Sequence, residues 1–404
     1  MSLVVQKFGG TSVGDADRIR AVADHVARTR RQGHDVVVVV SAMGKETDEL
    51  IRLAEDVSQT RPTREMAMLI TAGERKATAL LCMALHDLGV AADSLTGSQA
   101  GFITDGNHID AKILEVRGDR VREALSGGRV PVVGGAQGVS TERDITFLGR
   151  GGSDTTAVAL AAVLKADSCE LYTDVSGIFT ADPRVVPSAR RIARISFNEA
   201  LEMTAAGCPK PAMRSVEFAR NHGVPLHVRS SFTWEPGTWI DEEDPSVEQA
   251  IISGVVHDTS EAKVTVARVP DKPGIAARLF RSLADVNVNL DMIVQNVSLE
   301  GHTDISFTVP KADLDRAMEV CRSHAADVEA SDVLADAAIA KVSLVGAGMK
   351  TNPGVGATMF ETLAGSNINI EMISTSPIRI TCVVRADQVE QAVQVLHEAF
   401  GLDQ

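Results

Sequence analysis

Residues Leu3–Gly44 read LVVQKFGGTSVGDADRIRAVADHVARTRRQGHDVVVVVSAMG: two apolar runs separated by one amphipathic segment. LVVQ is long enough for a short strand and runs into Lys7 and the pair Gly9-Gly10. In the segment that follows, Ile19, Val22 and Val26 recur at spacings that place them on one helical face. Gly33 marks the end of that helix. Val36–Val40 is then five consecutive β-branched residues, the unalternated pattern of a strand buried on both faces of a parallel sheet.

Moving outward, the same punctuation returns at Val130–Val133 before Gly134-Gly135, and at Cys169–Tyr172 before Thr173-Asp174. Between them Thr155–Leu164 reads as an Ala-rich helix. Strand and helix alternate, so the expected solution is an α/β domain with a mainly parallel sheet and ligand-binding loops at its carboxyl ends. The pattern breaks near Trp234. EPGTWIDEEDPSVEQ, from Glu235, carries two prolines and a dense acidic run with little to bury, and is expected to be a solvated boundary.

Beyond the break lies an internal repeat. DKPGIAARLFRSLADVNVNLDMI from Asp271 and TNPGVGATMFETLAGSNINIEMI from Thr351 align, with Pro273 and Pro353 offset by 353 − 273 = 80. Each copy predicts a Pro-Gly turn, an amphipathic helix and a strand N-x-N-[LI]-[DE]-M-I. A second, alternating strand follows, ISFTV from Ile305 and ITCVV from Ile380. These are paired α+β modules.

At 404 residues the chain suggests two or three domains, and 44% hydrophobic against 23% charged residues is a globular composition. A net charge of −14 argues against nucleic-acid wrapping, which draws on Lys and Arg. The five cysteines are scattered without metal-ligand spacing, so reduced thiols in a cytoplasmic protein are expected. No secretory signal and no apolar run of membrane-crossing length are read from the sequence.

The chemistry sits at the strand ends. There is no P-loop signature. Lys7 beside Gly9 and Gly10 is suited to an anion, since glycines let backbone amides approach closely, although a tight turn before a helix gives the same residues. In Gly149-Arg150-Gly151-Gly152-Ser153-Asp154, an N-cap role for Ser153 or Asp154 explains one residue. It does not explain Arg150, whose fork suits a carboxylate. Glu74, in Thr71-Ala72-Gly73-Glu74-Arg75, is either a first-turn acid complementing a helix dipole or a site residue. Ser41 follows the five-valine strand directly, with Thr47 close behind. Thr173, Asp174, Asp182 and Arg184 form polar loops able to hold a nucleotide.

KFGGTSV, VVVVSAMGKETD, TAGER, GRGGSDTTA, YTDVSGIFTADPR and RSVEFARNHGVPLHVRSS, in that order, resemble aspartate kinase. VPDKPGIAARLF, NVNLDMIVQN, NPGVGATMF and NINIEMISTS resemble the paired ACT domains that follow the kinase in that family. The resemblance implies a three-layer amino-acid-kinase domain over residues 1–245 and two ferredoxin-like ACT regions, 246–328 and 329–404, whose strands can interleave. It implies ATP-dependent phosphorylation of the L-aspartate β-carboxylate to 4-phospho-L-aspartate and ADP, with Mg²⁺, in lysine, threonine and methionine biosynthesis.

By the same resemblance Lys7 contacts the transferred phosphoryl group, Ser41 and Thr47 lie by aspartate, Glu74 holds its ammonium, Arg150 its carboxylate, and Asp154 organises the reacting end. Gly9, Gly10, Thr173, Asp174, Asp182 and Arg184 fall on the ATP side. The lysine that the family commonly has two residues after Gly207 is displaced by one position, to Lys210, between Pro209 and Pro211. Lys76, where the family often has an apolar or small residue, is expected to face solvent. Threonine, lysine or both are expected effectors, contacting Asp271, Gly274, Ile275, Ala276, Asn289 and Gln295, with Asn369 and Ile370. A homo-oligomer through the ACT domains, or assembly with a separately made regulatory subunit, is implied. A homologue with altered or lost catalysis acting as an amino-acid sensor, and a kinase for another amino-acid carboxylate, are the alternatives. No metal ligands are assigned.

Overall fold

The structure is a computed structural model that describes residues 2–233, 235–242, 251–296 and 301–404. The chain divides into two units, the first comprising Met1–Ile178, Arg191–Thr204 and Pro209–Val247, the second comprising Phe179–Arg190, Ala205–Cys208 and Glu248–Gln404.

The first unit contains strands β1 (Leu3–Phe8), β2 (Asp35–Val40), β3 (Ala92–Leu95), β4 (Phe102–Thr104), β5 (Ile113–Val116), β6 (Val130–Gly134), β7 (Gln137–Ser140), β8 (Ile145–Phe147), β9 (Ser168–Thr173), β10 (Arg194–Ser196), β11 (Leu226–Ser230) and β12 (Thr238–Asp241). Its helices are α1 (Ala16–Arg31), α2 (Glu46–Val57), α3 (Thr63–Ile70), α4 (Ala72–Asp87), α5 (Asp119–Ser126), α6 (Gly152–Leu164), α7 (Phe197–Ala205) and α8 (Met213–His222). Eight strands form one sheet in the order β10-β12-β11-β9-β1-β2-β6-β3, and β4, β5, β7 and β8 form a smaller one. All pairings in the large sheet are parallel except β11 with β12.

The five valines of β2 are all fully buried, as a strand covered on both faces demands. Val36, Val38 and Val40 meet Ile19, Val22 and Val26 of α1 and Leu81 and Leu85 of α4. Helix α6 packs against β1, β2 and β9 and is buried from Gly152 to Ala161.

The acidic stretch after Trp234 departs from expectation. Thr238–Asp241 is strand β12 of the main sheet, with Thr238 and Ile240 fully buried. The alternation Thr-Trp-Ile-Asp is the pattern of such a strand, and the flanking prolines and acids hid it. Trp234 and the acidic residues from 243 to 250 lie outside the described residues.

The second unit holds β13 (Gly254–Asp258), β14 (Glu261–Pro270), β15 (Ile293–Gln295), β16 (His302–Pro310), β17 (Asp332–Asp336), β18 (Ile339–Val345), β19 (Met372–Ser376) and β20 (Arg379–Arg385), with helices α9 (Ile275–Asp285), α10 (Leu314–Ser323), α11 (Val355–Gly365) and α12 (Val389–Ala399). Two four-stranded sheets result, β15-β16-β14-β17 and β13-β18-β20-β19. Strand β13 precedes the first repeat in the chain yet completes the sheet of the second. Each Pro-Gly turn becomes a helix N-cap, with Gly274 at φ 95° and Gly354 at φ 111°, a region that favours glycine.

The N-x-N motif is not a strand along its length. Asn287 and Asn367 both sit at φ 56° just beyond their helices, the left-handed conformation that Asn tolerates. Val288 and Ile368 drop into their module cores, and pairing begins only at Ile293 and Met372.

The two modules meet through Met292, Met372, Ile339 and Val383. Lys263 of the first pairs with Glu371 of the second. Lys341 of the second, 2% exposed, meets Asp291 at 2.6 Å and Glu261 at 2.9 Å from the first, and Asp258 at 3.5 Å. Among the described residues all five cysteines are free, and no helix is long and apolar enough to cross a membrane.

Removing one partner from a buried charge cluster leaves the others uncompensated. Lys341→Met is expected to lower stability by about 3 kcal/mol at neutral pH. Urea denaturation of the wild type and the variant measures the loss.

Candidate active site

The carboxyl ends of β1 and β2 are tied together. The Ser41 N–H donates to the Phe8 carbonyl at 3.1 Å and the Gly44 N–H to the Gly10 carbonyl at 3.0 Å. A side chain on Gly10 would come within 2.9 Å of the Ala42 carbonyl oxygen, so the approach of the two loops requires glycine there. The Gly135 N–H, just past β6, donates to the Val40 carbonyl at 2.9 Å. The Gly9 N–H donates to the Tyr172 carbonyl of β9 at 3.1 Å. That last bond corrects one expectation: the Gly9 amide is already committed and does not point at a ligand.

Lys7 stands at this convergence, 6% exposed, with its Nζ 2.5 Å from Asp154 Oδ1. Asp154 lies in the first turn of α6 and is not a cap. The helix starts earlier than expected, at Gly152, with Gly151 as an N-cap residue that lends no side-chain bond. The Asp154 carboxylate is therefore free to serve Lys7, and its Oδ2 accepts from the Ala212 N–H at 3.3 Å. Burial alone would raise the Asp154 carboxyl, but the neighbouring charge of Lys7, with Lys210 and the Ala212 amide, holds it below the usual carboxylate range. Lys210 thus acts electrostatically on the same carboxylate as Lys7, despite its displacement by one position between two prolines.

Glu74, in the first turn of α4, is 3% exposed. Its Oε1 accepts from the Ala42 N–H at 3.3 Å, while its buried Oε2 lacks a hydrogen-bond partner. Burial pushes this carboxyl up to about 7; the amide bonds it accepts and Arg75 oppose the rise, and the charge of Glu46 adds to it. A first-turn acid serving only the helix dipole would lie at the surface, so the burial favours the site reading.

Thr47 is half-buried in the first turn of α2. Arg150 is exposed on the loop before α6 and makes no ion pair among the described residues. Thr173 ends β9 and donates to Asp174 Oδ1 at 2.8 Å, and its carbonyl accepts from the Ser231 N–H at 2.9 Å. Asp182 and Arg184 belong to the second unit, where Arg184 Nη2 meets Asp182 Oδ2 at 2.6 Å. Of the effector candidates, Asp271, Gly274, Asn289, Gln295 and Asn369 are exposed, and Ala276 is half-buried. The Ile275 side chain is buried in the first module's core and Ile370 packs on the second's, which leaves mainly their backbone to face a ligand.

Two residues were not anticipated as a pair. Lys76 does not simply face solvent: its Nζ lies 2.6 Å from Glu46 Oε1. The two are 30 positions apart on different helices, and no local pattern announces them. Ser12, 2% exposed, donates to Ser231 Oγ at 2.8 Å across the ends of the strands and was also missed.

The chain is similar over its whole length to known proteins. The profile of the Amino acid kinase family matches residues 2–230, and an ACT domain profile matches residues 264–324 and 342–400. The aspartokinases of Mycolicibacterium smegmatis and Corynebacterium glutamicum are each 54% identical over 407 aligned positions, covering 100% of this chain and 97% of theirs. Aspartate kinase from Synechocystis is 44% identical with a TM-score of 0.56, covering 99% of this chain and 69% of its own. The fold of E. coli aspartokinase III, crystallised with aspartate and ADP, superposes with a TM-score of 0.84 at 24% identity, covering 98% of this chain and 99% of that one. A buried lysine–carboxylate pair at the strand ends, a whole-length match and the repeated C-terminal module lead to one conclusion: the chain belongs to the aspartokinase family, an amino acid kinase domain followed by paired ACT domains.

Proposed function

We infer that this aspartate kinase moves the γ-phosphoryl group of ATP to the β-carboxylate of L-aspartate in one in-line step, with Lys7, Asp154 and Lys210 as its electrostatic centre. The observation that carries the residue assignment is the buried 2.5 Å pair of Lys7 with Asp154 at the carboxyl end of a central strand. An oxygen of the β-carboxylate forms the new bond to phosphorus as the bond to the ADP oxygen breaks. That carboxylate has a reference pKa near 3.9 and is ionised at neutral pH, so no base is needed. The barrier is the approach of one anion to a polyanion.

Lys7 meets that problem at the transferred group and Lys210 at the phosphates, while Asp154 holds Lys7 in position. Glu74 takes the substrate ammonium, Arg150 its α-carboxylate, and Ser41 and Thr47 hydrogen-bond to it. Gly10, Thr173 and Asp174 line the nucleotide side. Mg²⁺ carried in with the nucleotide would supply further positive charge there. In this reading residues 1–245 are catalytic, and regions 246–328 and 329–404 are regulatory. Threonine, lysine or both bind the latter, and the ACT domains mediate oligomer formation or the docking of a separately made regulatory subunit.

Lys7→Ala is expected to lower kcat at saturating ATP by about a hundredfold or more, the loss typical of one preorganised charge. ADP release with aspartate, and hydroxylamine capture of the acyl phosphate, read this directly; near-normal turnover would remove Lys7 from its role.

Glu74 gives a pH signature. With its carboxyl raised to about 7, the free enzyme carries it protonated below that pH, and a neutral carboxyl holds an ammonium poorly. Aspartate kcat/KM should therefore fall as pH drops through about 7. Bound ammonium favours the ionised form, so the corresponding limb of kcat should lie at lower pH. Initial-rate profiles of the wild type and Glu74→Gln, in which the limb disappears, check the assignment.

An effector can inhibit only by favouring one catalytic arrangement over another. Threonine and lysine, alone and together, are expected to lower activity and to raise the melting temperature in thermal-shift titrations. Silence in both assays removes the effector assignment.

A further inference from the structure

Glu46 begins α2, and its carboxylate faces two surroundings. Oε1 meets Lys76 Nζ at 2.6 Å, on the side where Lys76 is half exposed. Oε2 is buried and without a hydrogen-bond partner. That inner oxygen rests against Gly73, where a Cβ would lie 3.5 Å from it and 2.7 Å from the Ala42 Cβ. The next residue is Glu74, whose own Oε2 is also buried and unpartnered. Two carboxylates thus each leave one oxygen unmatched, Glu74 on α4 itself and Glu46 of α2 against the adjoining Gly73.

A buried carboxylate oxygen without a donor is costly, and two like charges side by side raise that cost. Lys76 engages one Glu46 oxygen and leaves the other, buried one without a donor. A cationic guest rich in N–H donors resolves it, because one ammonium is attracted by both negative charges.

We propose that the Glu46–Lys76 ion pair is a specificity determinant of the substrate-ammonium subsite, with Glu46 setting a second negative charge beside Glu74 and Lys76 holding Glu46 in place. The inference rests on the assignment of Glu74 to the substrate ammonium. Besides the Ala42 N–H from the loop after β2, the groups facing Glu74 are Glu46 from α2 and Arg75 on α4 itself, while Gly134 at the end of β6 brings no charge. Glu46 is thus the one negative neighbour among them. It makes the subsite more attractive to a cation and harder to ionise when empty.

The test compares Glu46→Gln, Lys76→Met, Lys76→Arg and Glu74→Gln by steady-state kinetics across pH, with ATP as the internal control. Glu46→Gln keeps the shape and removes the charge. It should raise KM for aspartate on the order of fivefold, with kcat and KM for ATP nearly unchanged, as expected of one neighbouring charge. It should also move the acid limb of aspartate kcat/KM to lower pH by about half a unit. Lys76→Met leaves Glu46 less compensated and should move the limb to higher pH, and Lys76→Arg should restore it. A purely structural pair would change the melting temperature and leave the limb in place. If Glu74→Gln raises KM for aspartate while Glu46→Gln moves neither KM nor the limb, the proposal falls and the Glu74 assignment stands. If Glu74→Gln leaves KM for aspartate unchanged, the underlying assignment falls as well.

Discussion

The contact between Lys7 and Asp154 joins the end of a central strand to the start of the helix packed beneath it, and the rest of the catalytic unit is arranged around it. Taking two charges out of water costs several kcal/mol per ion unless their geometry is good and their remaining bonds are met. Here both side chains are at most 7% exposed, and the Ala212 amide and the Lys210 charge serve the carboxylate in addition. Two cations around one anion leave the spot positive, within a chain of net charge −14. In the proposed reading this is where the nucleotide's phosphates are drawn.

What was legible in the sequence had a period or a repeat. The five valines announced a doubly covered strand because nothing else tolerates such a run, and the 80-residue offset announced two related modules. What was illegible depended on partners distant in the chain. Asp154 reads locally as a cap, and only the packing of α6 on β1 shows it serving Lys7. Lys76 reads as a solvent-facing lysine until Glu46 is brought beside it. The strand at Thr238–Asp241 was lost because its flanking prolines and acids outweighed four alternating residues. In N-x-N-[LI]-[DE], β-branched content suggested a strand, while the first Asn of each copy was there for a left-handed turn.

The two modules answer one another across their contact. KVTV from Lys263 and KVSL from Lys341 are matching stretches, and Asp291 and Glu371 are equivalent by the 80-residue offset. Lys341 of the second pairs with Asp291 of the first, and Lys263 of the first with Glu371 of the second. Met292 and Met372, equivalent by the same offset, lie between them. This is the reciprocity of a two-fold symmetric dimer, carried out within one chain. It departs from symmetry at Glu261 and Asp258, two further acids that gather on Lys341 alone. The second lysine is accordingly the deeper one, 2% exposed against 21% for the side chain of Lys263.

Charge placement in the catalytic unit follows a comparable logic of opposed ends. In the proposed reading, Lys7 and Lys210 are the cations that let an anion meet an anion, and Glu74 and Glu46 the carboxylates that hold a cation, with Lys76 paired to the outer one. On the roles argued above, an amino acid with an ammonium at one end and a carboxylate at the other is aligned by the pocket before any atom moves. Orientation of this kind converts binding into rate, because a reactant already directed along the line of attack has less freedom left to lose in the transition state. The strand ends supply the rigidity this needs: Gly10 lets β1 and β2 lock together by backbone hydrogen bonds, so the opposed charges are held at a separation set by the sheet and not by mobile loops.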